Sequence, residues 1–161
     1  MNGKPLPEEV TCIVATAADR AVVGQWMQAF YAEGHLVYGP ATEAALEQLL
    51  ADPRLGMAVI LRRGGAAGRD GEGVGYFILT FLHSLERGGK MALLDELFLL
   101  PHARGQGIGK VAVAAAVRFA REAGSGAMAL EVDQGNIRAQ RLYESIGFVS
   151  QGRDLLTLSL D

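Results

Sequence analysis

Two acids, Asp95 and Glu96, interrupt the apolar run from Leu93 to Leu100. A carboxylate so placed can draw in a cationic amine and take up its proton, directly or through water. Soon afterwards, Arg104-Gly105-Gln106-Gly107-Ile108-Gly109-Lys110 sets glycines at alternate positions between Arg104 and Lys110. Without Cβ atoms, this turn lets a bulky anion approach the backbone. The alanine-rich helical pattern that follows offers its first N–H groups and positive dipole end to that anion. A nucleoside-triphosphate loop is excluded, because Arg104 stands at its first glycine and Val111 at its hydroxyl. A dinucleotide fingerprint is excluded as well: Lys110 replaces its third glycine, and the turn comes late in the chain.

The order of motifs narrows the choice. Arg104 to Gly109 matches the Arg/Gln-x-x-Gly-x-Gly/Ala signature of the GNAT superfamily of acyl-CoA-dependent N-acyltransferases. Leu94-Asp95-Glu96-Leu97-Phe98-Leu99-Leu100-Pro101 resembles its central strand, and Asn136 to Phe148 resembles its closing helix with the Tyr143-x-x-x-Gly147-Phe148 ending. The resemblance implies acetyl-CoA as co-substrate and direct amine attack in a ternary complex, with no acyl-enzyme. It implies that the backbone of Leu97, Phe98 and Leu99 binds the pantetheine arm and that Arg104, Gly105, Gln106, Gly107, Ile108, Gly109 and Lys110 hold the diphosphate. It further implies that Asn136 and Ala139 touch the pantetheine, although Asn136 serves equally well as a helix N-cap. Tyr143 is then the residue that protonates the departing thiolate; a phenol with a pKa near ~10 still carries its proton at neutral pH.

Asp95-Glu96 resembles, in reversed order, the acid pair of diamine and polyamine acetyltransferases, and either residue could be the base. In a regular strand successive side chains point to opposite faces, so only one of the two should look into a given cleft. The expected acceptor is a primary amine of a small molecule, polyamine-like or amino-acid-like. A protein N-terminus or lysine is the alternative acceptor, and a non-catalytic acyl-CoA sensor the alternative of another class. A homodimer is the oligomer the resemblance implies.

These groups need a scaffold. The patterning gives a strand over 10–15, a helix opened by Thr16 to Asp19 and running to about 32, and a helix over 42–51. Strands follow over 57–62, 75–82 and 91–100, then a helix over 108–123, a strand over 127–132 and a helix over 136–145. A final hairpin is expected around Gln151-Gly152-Arg153-Asp154, from Phe148 onward. Val22, Val23, Trp26, Phe30 and Tyr31 share a helical face, which marks Trp26 as core. Gly64 to Gly73 reads as a flexible surface excursion. The order β-α-α-β-β-β-α-β-α-β-β predicts an α/β (α+β) fold: a mixed, mostly antiparallel sheet flanked by helices, splayed at its central strands as the resemblance implies.

The whole chain, 161 residues, suits one domain. A net charge of −3 supplies no basic stripe for nucleic acid. No apolar run approaches the ~20 residues that cross a bilayer, and residues 1–9 show no signal-peptide core. Cys12 is alone, reads as a small buried hydrophobe and suits a reducing cytoplasm. His35, His83 and His102 have no metal-ligand spacing, so no metal is expected.

Overall fold

Pairing of β-branched and aromatic stretches sets the frame. In the computed structural model, residues 10–64 and 70–160 are described. The tip of the expected excursion, residues 65–69, and the N-terminal residues 1–9 lie outside that range. The chain divides into two compact units, Met1–Glu131 and Val132–Asp161.

The first unit carries a sheet of five strands in sequence order. β1 (Val10–Val14), β2 (Gly56–Arg63), β3 (Glu72–Ser84) and β4 (Gly89–Leu99) pair antiparallel, and β5 (Ala127–Leu130) joins β4 in parallel. This is the mixed, mostly antiparallel sheet the sequence predicts. Helix α1 (Arg20–Glu33) follows a short 3-10 turn whose Asp19 carboxylate accepts the Thr16 N–H at 2.8 Å. Helix α2 (Pro40–Ala51) starts earlier than expected because Pro40 sits at its first position, where a missing N–H costs nothing. Helix α3 (Ile108–Glu122) buries Ala112, Val113, Ala115, Ala116 and Ala120.

Alternation along the strands sends side chains to two faces. On one face, Ile60, Tyr76, Ile78 and Phe98 form a core with Val23 and Met27 of α1 and Leu46 of α2. Trp26 packs against this core as expected, and a Cβ at Gly73 would stand 2.7 Å from its ring. On the other face, Phe77 meets Phe119 of α3 with ring centroids 6.2 Å apart.

Two departures bear on the site. The β3–β4 register runs Ile78 to Glu96 and then Leu79 to Leu94, so Asp95 is an extra residue, a β-bulge. Strand β5 pairs with β4 only from Met91 to Leu94, and among the described residues the rest of β4 pairs with β3 alone.

The second unit contains α4 (Ile137–Ile146), closed by Gly147 in the left-handed region at φ 110°. The expected final hairpin is absent: no strand occurs over 148–160. Leu155, Leu156, Leu158 and Leu160 alternate in part like a strand, yet all are exposed. An apolar alternation becomes a strand only where an edge pairs with it, and among the described residues none does.

Candidate active site

The bulge decides where the acids point. Up to Leu94, buried β4 side chains lie on the α3 face; from Glu96 onward they lie with Tyr76, Ile78 and Phe98 on the α1–α2 face. The inserted Asp95 absorbs the change. Asp95 and Glu96 therefore both line one cavity of about 310 Å³, together with Tyr31, Thr42, Ile78 and Thr80. The expectation that only one acid could face a given cleft is corrected here, because a bulge breaks the two-residue period on which it rested.

The two carboxyls differ. Glu96 is 7% exposed and fully engaged: Tyr31 donates its hydroxyl to Oε1 at 2.8 Å, and Tyr76 donates to Oε2 at 2.7 Å. Burial pushes the Glu96 carboxyl above its ordinary range, against the lowering effect of the two phenols, and the neighbouring Asp95 pushes it the same way. Asp95 is exposed, and partial desolvation raises its carboxyl too. Both phenols are held above their ordinary values, chiefly by burial, so they remain donors. The sequence reading put Tyr31 among core residues and passed over Tyr76. A signal was available: a tyrosine on a buried face needs a partner for its hydroxyl, and the only acids inside that apolar stretch were Asp95 and Glu96.

Further along β4, Leu100 donates its N–H to the Val74 carbonyl at 2.9 Å. By the antiparallel alternation, Phe98 faces β3 in the same way, while Leu97 and Leu99 turn their backbone groups to the other side. On that side β5 has ended at Leu130. This is the splay the sequence resemblance implied. One of these groups is already engaged, because Arg104 donates Nε–H to the Leu99 carbonyl at 2.8 Å. Its guanidinium also reaches both Glu33 oxygens at 2.8 and 2.9 Å and lies 5.3 Å from the Phe98 ring centroid. Arg104 thus ties the end of α1 to β4, and its charge is shared with Glu33.

The glycine turn has the geometry of a cradle. Gly105 and Gly107 take φ of 79° and 85°, and Gly107 caps α3 without a side chain. A Cβ on Gly107 would meet nothing within 4 Å, so the space above this cap is open. The first N–H groups of α3, those of Ile108 and Gly109, point along the helix axis toward it, while the Lys110 N–H donates to the Gly107 carbonyl at 3.1 Å. Ile108 is buried, Gly109 half-buried, and Lys110 exposed. Gln106 is fixed from both sides: its amide donates to the His102 carbonyl at 2.7 Å, and its oxygen accepts from Arg63 at 2.6 Å. His102 and Arg63 both reach Glu72, at 3.0 and 2.7 Å. His102 therefore braces the turn through Glu72.

A substitution tests the cradle. Gly107→Val forces a β-branched residue to φ 85°, at ~1–2 kcal/mol, and places methyl groups in the open space. We expect acetyl-CoA affinity to fall at least about tenfold by calorimetry, with the fold kept. Unchanged affinity would remove the turn from coenzyme binding.

In the second unit, Asn136 accepts the Ala139 N–H at 3.1 Å, which makes it the N-cap of α4. Ala139 and Tyr143, four residues apart, share a face of that helix. The Tyr143 ring meets Phe148 at 6.0 Å, and burial raises its phenol above the ordinary value. Elsewhere, a hollow of about 470 Å³ between α1 and α2 is lined by Arg20, Gln25, Tyr38 and Glu43 and lacks the β4 acids. Cys12 is half-buried in β1. Among the described residues, no cluster of three His, Cys, Asp or Glu could hold a metal ion, and no helix is long and apolar enough to cross a membrane.

Comparison with known proteins fits this geometry. Streptothricin acetyltransferase of Streptomyces lavendulae is 34% identical over 55% of this chain and 45% of its own length. Mycothiol acetyltransferase of Streptomyces coelicolor is 32% identical over 76% of this chain and 37% of its own length. The chain thus spans about half or less of the length of these curated relatives. Among solved structures, an integron cassette protein from the mobile metagenome of Cole Harbour Salt Marsh superposes with a TM-score of 0.76 at 29% identity, over 93% of this chain and 90% of that one. Aminoglycoside N-acetyltransferase AAC(6')-Iy in complex with CoA shares the fold, with a TM-score of 0.76 at 19% identity over 98% and 99% of the two chains. The profile of the acetyltransferase (GNAT) family matches residues 20–148, and with the β4 splay and glycine turn in place the chain belongs to that family.

Proposed function

We propose that this chain is an acetyl-CoA-dependent N-acetyltransferase that acetylates a primary amine of a small molecule by direct attack in a ternary complex. The observation that carries this reading is on β4. Within five consecutive residues, Asp95 and Glu96 line a cavity and Leu97 to Leu99 run along an edge where β5 has stopped. An amine bound against the acids therefore lies beside the edge where the pantetheine arm would run.

Each group then has a task. The outward backbone of Leu97 and the N–H of Leu99, whose carbonyl Arg104 already holds, bind the pantetheine arm, and Asn136 and Ala139 touch it. The turn from Arg104 to Lys110 holds the diphosphate. The acid pair attracts the ammonium group and takes its proton, so that the nitrogen lone pair can attack the thioester carbonyl. The C–N bond forms, the C–S bond breaks, Tyr143 gives its proton to the thiolate, and the second proton shed by the acylated nitrogen restores the Tyr143 phenol. No metal enters this scheme. Diamines, polyamines and amino-acid-like amines are the acceptor classes we favour, because the cavity places two carboxyls against apolar walls. The whole chain acts as one N-acetyltransferase domain, in the cytoplasm and as a homodimer; light scattering reads the last point directly.

The test is acetyl-CoA binding by calorimetry, followed by coenzyme release with spermidine, butane-1,4-diamine, 2-phenylethylamine and L-lysine. Binding with amine-dependent release supports the proposal. Binding without release favours a sensor, and no binding at millimolar acetyl-CoA defeats both.

A further inference from the structure

The cavity contains two carboxyls, but they are not equivalent. Glu96 lies at the buried end, with one tyrosine hydroxyl on each oxygen. Tyr76 itself is fully buried, so its hold on Glu96 is part of the core. Asp95 is the bulged residue, lines the same cavity and is exposed. A base in steady turnover must both reach the amine and discharge its proton to solvent. Asp95 meets both needs, whereas Glu96 is only 7% exposed and has a phenol bound to each of its oxygens.

We infer that the bulge divides the acid pair: Asp95 is the carboxylate that takes the acceptor's proton, while Glu96, pinned by Tyr31 and Tyr76, is a positioning residue. This rests on the acetyltransferase reading above. The step balances: the ammonium N–H bond breaks toward an Asp95 oxygen, the freed amine attacks the thioester carbon as the C–S bond breaks, the acylated nitrogen passes its second proton to the Tyr143 oxygen that protonated the thiolate, and protonated Asp95 returns its proton to water. Glu96 acts through Tyr31. Tyr31 lines the same cavity as Asp95, and the bond from its hydroxyl to Glu96 fixes that part of the lining. The titratable groups around the pair are Tyr31 from α1, Tyr38 from the α1–α2 connection and Tyr76 from β3. All are phenols, and burial holds those of Tyr31 and Tyr76 above their ordinary values. Among the groups around this cavity, an acid limb of activity therefore belongs to Asp95 or Glu96.

The experiment is the pH profile of kcat/KM for wild type, Asp95→Asn, Glu96→Gln and Tyr31→Phe. The acceptor is the fastest of spermidine, butane-1,4-diamine, 2-phenylethylamine and L-lysine, and acetyl-CoA affinity serves as the control for folding. Asp95→Asn should lower kcat/KM about 10²-fold, the low end for a general base, and abolish the acid limb. Glu96→Gln and Tyr31→Phe should keep the limb and raise the amine KM several-fold more than they lower kcat. Their double variant should show no more than the larger single effect, because both remove one link. Loss of the limb in Glu96→Gln but not in Asp95→Asn overturns the division, as does simple additivity of the double variant. If every variant binds acetyl-CoA but wild type acetylates none of the amines, the acetyltransferase reading fails first and takes this assignment with it.

Discussion

Gly75→Ala will lower the melting temperature by roughly 6–12 °C, the shift that corresponds to a loss of about 3 kcal/mol in a domain of this size. Gly75 lies on β3 opposite Leu99. A Cβ there would overlap the Phe98 carbonyl oxygen and come within 3.0 Å of the Leu99 Cα. Both obstacles are backbone of a paired strand, so no rotamer change relieves them, and β3 must back away from β4. The stretch that gives way is the one assigned to the pantetheine, so acetyl-CoA affinity should fall with stability. Gly88→Ala is the control. Its φ of 73° is also positive, in the left-handed region, but its Cβ would meet nothing within 4 Å. We expect Gly88→Ala to cost about 1 kcal/mol and leave affinity intact. Equal melting points for the two variants would show that close approach of β3 to β4 does not matter.

Tyr143→Phe is expected to lower kcat by about 10²–10³-fold while acetyl-CoA affinity stays within a few-fold, because a proton donor acts in the transition state and adds little to ground-state binding. Burial raises the Tyr143 phenol, so it stays protonated across the working range and no alkaline limb from its ionisation should appear below pH ~10. Single-turnover measurement separates the chemical step from coenzyme release. If kcat does not move, Tyr143 has no part in protonating the thiolate.

Most of the scaffold was legible because its signals are local. Pro101 ends the apolar run, Gly107 has the freedom to open α3, and Thr16 with Asp19 forms the turn that leads into α1. The glycine turn was legible for the same reason, since its glycines and the helix they open are neighbours in the chain. The acid pair was only half legible. Its residue types pointed to the chemistry, but the direction of each side chain depends on the bulge at Asp95, and the register between two strands is a tertiary property. Tyr31 was read as core because its ring follows the apolar helical face; its hydroxyl finds Glu96, 65 residues away in sequence. The leucines after Asp154 misled for a related reason. Alternation specifies which face would be buried once a strand forms, and a partner edge must still be present.

The short β4–β5 pairing has one more consequence. Amides of Leu97 and Leu99 face a side with no strand to protect them, so in the ligand-free protein they should exchange with solvent faster than those of Leu93 and Leu94. A co-substrate that bonds to them finishes the sheet in place of the missing strand pairing, and by linkage each tenfold excess over its dissociation constant adds about 1.4 kcal/mol to the folded state. On the proposed reading, the stability of the folded protein would then rise with acetyl-CoA concentration, tying its resistance to unfolding to the supply of that co-substrate.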